Sequence, residues 1–180
     1  MQSSQIFQER MSEINKAFSK VFNLTTIFPD GHYLIETDET TKEEKRGWMK
    51  LNNVDYTNLD FSKIKNVLSS DSVFYLGFEQ SLAIIKEIAL NNPEINCIFG
   101  FSQGALFLLL ITMLIVSYDD FKTWFPSLKC LVFVSGFITP KPINDEYKLV
   151  DIIGKFKNGS LKIDIPTFHV YGENDDHIVP

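Results

Sequence analysis

Gly100-Phe101-Ser102-Gln103-Gly104 sets a hydroxyl between small residues, and its flanks decide what that hydroxyl could do. Ile95 to Phe99 reads as a short buried strand, and Ala105 to Val116 is an apolar run long enough for a buried helix. A serine in G-x-S-x-G at such a junction sits on a sharp turn that lifts its Oγ above the sheet, with glycines where the chain packs closely. The helix that follows brings unpaired N–H groups and its positive dipole end to the place where negative charge would develop. This is the arrangement of a nucleophilic serine aimed at an acyl carbon.

The elements that must position Ser102 are legible from periodicity. Phe7, Met11, Ile14, Phe18 and Val21 are spaced as one helical face behind Ser3 or Ser4 as N-cap, which predicts an amphipathic helix covering a sheet. Leu24 to Phe28 reads as a strand stopped by Pro29-Asp30-Gly31. From His32 to Asn66 polar residues dominate, which predicts a long irregular excursion with a short helix near 61–68. Lys42 to Arg46, broken by Glu43 and Glu44, reads as solvated loop. Phe78, Leu82, Ile85 and Ala89 predict a second amphipathic helix, ended by Asn91-Asn92-Pro93. Cys130 to Val134 and Thr167 to Tyr171 predict further strands, with a loop excursion from Thr139 between them. Strands alternating with helices predict an α/β fold, a doubly wound, mostly parallel sheet with helices on both faces. Sites in that architecture form at the carboxyl ends of strands, where Ser102 and the segment after Tyr171 both fall.

Composition narrows the function classes. A chain of 180 residues with 44% hydrophobic and 22% charged residues fits one soluble domain, residues 1–180, that buries roughly 70% of its unfolded surface. A net charge of −6 without a basic block argues against nucleic acid or an anionic membrane as partner. Leu106 to Val116 is too short to span a bilayer, and Met1 to Gln5 has no signal-peptide pattern, so a cytoplasmic protein without membrane insertion is expected. Cys97 and Cys130 read as small hydrophobes in buried strands. No G-x-G-x-x-G follows the first strand and no Cys pair stands at ligand spacing, so neither a nucleotide cofactor nor a metal is expected.

The loop Gly172 to Pro180 has the form of the loop that carries the triad acid in many α/β-hydrolases. Arg46-Gly47-Trp48, Tyr75 to Leu82, Ile98 to Ala105, Val132 to Phe137 and Ile165 to Glu173 then resemble, in order, the FSH family of serine hydrolases of the α/β-hydrolase superfamily. The resemblance implies Ser102 as nucleophile, the N–H of Gln103 as an oxyanion donor, and an acid that is Asp175 counted from Gly172 or, as the alternative, Asp176 counted from Pro180. Asp175 is preferred, because the strand end fixes the start of the loop. The resemblance also implies that the first strand and the C-terminal histidine segment of the family lie outside these 180 residues. His32, His169 and His177 are not expected to act as the base, and low activity is expected of the chain alone. The implied substrate is a small-molecule acyl ester or thioester, with Trp48, Tyr56, Ile143 and Tyr147 as candidate apolar walls or loop anchors. The alternative is a catalytically inactive hydrolase-fold scaffold that binds a small acyl ligand or a protein partner.

Overall fold

A computed structural model describes residues 3–52, 54, 74–136 and 147–173. In chain order the elements are α1 (Ser4–Arg10), α2 (Ser12–Ser19), β1 (Tyr33–Thr37), β2 (Glu44–Gly47), β3 (Lys50–Leu51), β4 (Tyr75–Leu76), α3 (Phe78–Asn91), β5 (Cys97–Phe101), α4 (Gln103–Ser117), α5 (Asp119–Lys122), β6 (Cys130–Val134), α6 (Leu149–Lys157) and β7 (Thr167–Val170). The fold is α/β. Its parallel sheet has the order β5-β6-β7, so β6 is central and β5, which leads into Ser102, lies at one edge of the described strands.

Helix α4 organises the core. Ten of its fifteen residues are buried, from Ala105 to Ile115, and no polar face is left, as expected of a helix enclosed on all sides. One side, Ala105 and Leu108, packs on Leu131 and Phe133 of β6. Leu106, Phe107, Leu110 and Leu114 join Phe78 and Leu82 of α3, Met49, Leu149 and Ile152 in a larger cluster. Thr112, also buried, satisfies its hydroxyl by donating to the carbonyl of Leu108 at 2.8 Å.

Among the described residues, the opposite face of the sheet is only partly covered. Alternation along β5 and β7 directs Phe99, Phe101, Phe168 and Val170 there, and all four are exposed. Phe7 of α1 reaches this face, its ring 6.0 Å from Phe99 and 6.2 Å from Phe101. Cys97 is exposed and Cys130 half-buried, which corrects the expectation of two buried strand cysteines. Their strands pair them in register. Burial at the sulfur, then the hydrogen bond to Cys130 and its charge, push the Cys97 thiol up to about 12.

Other expectations are adjusted as well. The first helix is two, joined at Met11, with Ser3 as N-cap accepting from the N–H of Ile6 at 3.3 Å. Neither helix contains a buried residue. Residues 24–28, expected as a strand, belong to none. Part of the expected irregular excursion is regular: β1 and β2 form an antiparallel hairpin, so Glu44 to Arg46 lie in a strand rather than a loop. Asp38 closes that hairpin by accepting from the N–H groups of Thr40 and Thr41, both at 2.8 Å, and these bonds lower its pKa. Helix α6 stands where a loop was expected, burying Leu149, Ile152 and Ile153. The expected helix near 61–68 lies outside the described residues.

Candidate active site

Ser102 follows the last residue of β5 and precedes the first of α4, at φ 52° and ψ −118°. A non-glycine residue there carries about 1–3 kcal/mol of backbone strain that its surroundings must offset. Those surroundings are specific. The N–H of Ser102 donates to Val134 at the end of β6 (2.9 Å), and its carbonyl accepts from Ala105 (2.9 Å) and Leu106 (3.1 Å), so one residue ends a strand and starts a helix. A Cβ on Gly100 would lie 2.6 Å from the Gly104 carbonyl oxygen and 2.7 Å from the Ala105 Cα, so any side chain there would force the start of α4 to shift. Gly104 is less constrained: a Cβ would meet the Trp48 indole Nε1 at 3.5 Å, an ordinary contact.

The N–H groups of Gln103 and Gly104 have no acceptor among the described residues, and no side chain caps α4. They are open donors beside Ser102 at the positive end of a fifteen-residue helix. Ser102 itself is half-buried, and among the described residues no side chain hydrogen-bonds its hydroxyl. A hydroxyl beside open N–H donors can attack a carbonyl and have the resulting oxyanion held, provided a base accepts its proton.

The remaining candidates are distributed as follows. Asp175, Asp176 and His177 lie outside the described residues, as do Tyr56 and Ile143. His32 is exposed and sets its ring against Tyr33, with 4.7 Å between centroids. His169, in β7, is exposed and stacks on Phe133 at 5.0 Å. Tyr147 serves as an anchor, with its ring 5.4 Å from Phe121 and 6.4 Å from Phe78. Trp48 stacks on Phe107 of α4 at 4.9 Å and 9° between ring planes. A depression of about 740 Å³ lined by Gln8, Ser12, Glu13, Lys16 and other residues of α1 and α2 does not include Ser102.

Two features were beyond sequence reasoning. The side chain of Gln103 bonds to the backbone of Trp48 and Met49, and the buried hydroxyl of Ser81 donates to the Trp48 carbonyl. These contacts join residues 33 to 55 apart, and the one available signal was the recurrence of Trp48, Ser81 and Gln103 in the matching motifs. Ser135 at the end of β6 also holds a positive φ, 48°, and donates its N–H to Val170 at 2.8 Å, repeating the ladder that Ser102 makes to Val134.

Comparison with known proteins agrees with this geometry. The family description "Serine hydrolase (FSH1)" matches residues 1–180. The chain is 22% identical over 175 residues to the esterase C25G4.2 of Caenorhabditis elegans, covering 97% of this chain and 68% of that protein. It is 25% identical over 183 residues to a dihydrofolate reductase of Schizosaccharomyces pombe, covering 97% of this chain but 35% of that protein. No solved structure matches. With a family match along its whole length and a strained serine between strand and helix, the chain belongs to the FSH1 serine hydrolase family.

Proposed function

We propose that the protein hydrolyses a carboxylic ester or thioester through an acyl-enzyme on Ser102. The observation that carries this reading is the strained Ser102 backbone beside the open N–H groups of Gln103 and Gly104. In the proposed reaction, Ser102 Oγ attacks the acyl carbon while a base takes its proton, and the tetrahedral oxyanion accepts from the N–H of Gln103. Collapse expels the alcohol or thiol, which leaves with that proton, and water then releases the acid. Asp175 orients the base in this reading, with Asp176 as its alternative. The sheet β5-β6-β7 is read as part of the doubly wound hydrolase sheet. The esterase name of the worm relative supports an ester-type substrate.

The test is modification by a fluorophosphonate, which takes the place of the acyl group at an activated serine. Intact-mass and peptide analysis should find one adduct, on Ser102. Labelling of the 180-residue chain alone should be slow and its p-nitrophenyl ester turnover barely above background, and Ser102→Ala should abolish the adduct. An unlabelled Ser102 in the folded chain would favour the inactive scaffold instead.

A further inference from the structure

Trp48 and Met49 lie between β2 and β3, where neither strand's ladder satisfies their backbone, and Met49 is fully buried. Buried peptide groups need partners. Two side chains supply all four. Gln103 Oε1 accepts from the N–H of Trp48 at 2.8 Å and from that of Met49 at 3.5 Å, and Gln103 Nε2 donates to the Met49 carbonyl at 2.9 Å. Ser81 Oγ, itself fully buried on α3, donates to the Trp48 carbonyl. The Trp48 ring is thereby held flat on Phe107, beside the first turn of α4.

We propose that Gln103 is a positioning residue whose side chain, together with Ser81, clamps the Trp48–Met49 segment to the start of α4 and so fixes Trp48 and the Gln103 N–H relative to Ser102. The proposal rests on the reading that Ser102 is the reacting group. Its chemistry demands an amide: Gln103 must accept and donate at once. A methionine retains the backbone N–H and much of the length but leaves buried groups unpaired. An ionised glutamate accepts but cannot donate to Met49, whereas a protonated carboxyl can do both.

The experiment uses the full chain carrying 5-fluorotryptophan, with the resonances of Trp48 and Trp124 assigned by Trp48→Phe. Trp124 packs on Phe121, outside the clamp, and reports the general state of the fold. Gln103→Met and Ser81→Ala should each shift or broaden the Trp48 resonance and leave Trp124 unchanged. Gln103→Glu should show the shift at pH 8 and return toward the wild-type position as the carboxyl is protonated, a pH profile absent from the wild type. Fluorophosphonate modification of Ser102 should slow by about 10-fold or more in Gln103→Met. If Gln103→Met unfolds, moving both resonances, then Ser81→Ala and the Gln103→Glu profile decide.

An unmoved Trp48 resonance in Ser81→Ala and in Gln103→Glu at pH 8 overturns the clamp. A moved resonance with unchanged labelling of Ser102 overturns its service to the site. Failure of the wild type to label, with Trp48 responding as expected, upholds the clamp and sinks the hydrolase reading instead.

Discussion

Ser102 keeps its backbone conformation because the residues around it cannot take another shape, and this makes the two glycines of its motif unequal. A methyl group on Gly100 would press on the backbone of Gly104 and Ala105, which has no rotamer to yield, so Gly100→Ala should cost about 1–3 kcal/mol. At Gly104 the new methyl meets the Trp48 ring at contact distance, and alanine favours a helix by up to about 1 kcal/mol over glycine. Gly104→Ala should therefore be neutral or stabilising. Urea denaturation of the two variants separates these outcomes, and equal losses would refute the distinction. Cys97 offers a second test at this scale. Its pKa, raised to about 12, keeps the thiol protonated, and the thiolate is the nucleophile. Alkylation by iodoacetamide at pH 8 should be about 10-fold slower or more than for an unperturbed thiol, and should keep accelerating well above pH 9. Peptide mass spectrometry gives the rate.

Among the elements, those whose sequence pattern follows from burial were legible, and those held by polar contacts were not. Periodic apolar residues predicted α3, and continuous apolar runs predicted α4 and β6, because packing of these segments is what fixes them. The hairpin β1–β2 was missed because its strands carry Glu36, Glu44, Lys45 and Arg46, and its cross-strand contact is the pair Lys45–Glu36 at 2.7 Å. The break at Met11 was missed for a related reason: spacing predicted one helix, yet no residue of α1 or α2 is buried to hold it continuous. For the site, the motif around Ser102 was readable in one stretch, whereas the Gln103 clamp draws on three distant segments and has no local signature. Gly77, which precedes α3 at φ 84°, shows how such long-range constraints act on an element. A Cβ there would overlap the hydroxyl end of the Tyr33 ring, and the left-handed backbone disfavours any side chain. Gly77→Ala should lower stability by about 1–3 kcal/mol, read as a drop in Tm, with β1 displaced from α3.

For the whole molecule the dominant feature is the inequality of the two sheet faces. One lies under α4; the other presents Phe99, Phe101, Phe168 and Val170, with Phe168 64% exposed. Such a surface should bind the dye 8-anilinonaphthalene-1-sulfonate in the native state. Phe168→Glu should reduce that fluorescence while changing stability by no more than about 0.5 kcal/mol, as for other exposed positions. Undiminished dye binding would place the apolar surface elsewhere. Among the described residues no helix is long and apolar enough to cross a membrane, yet α4 is nearly so in composition, and this has a consequence for how the chain is made. Residues 103–117 emerge from the ribosome before Leu131 and Phe133, on which they pack. At ordinary elongation rates the delay is roughly one to three seconds. During it the most apolar segment of the nascent polypeptide is without its docking surface, so it is the natural client sequence for a holdase. Yield on rapid dilution from denaturant should accordingly fall as protein concentration rises, and Leu108→Ser, which weakens this segment's stickiness and its eventual packing together, should improve solubility of the early intermediate at the expense of the final fold.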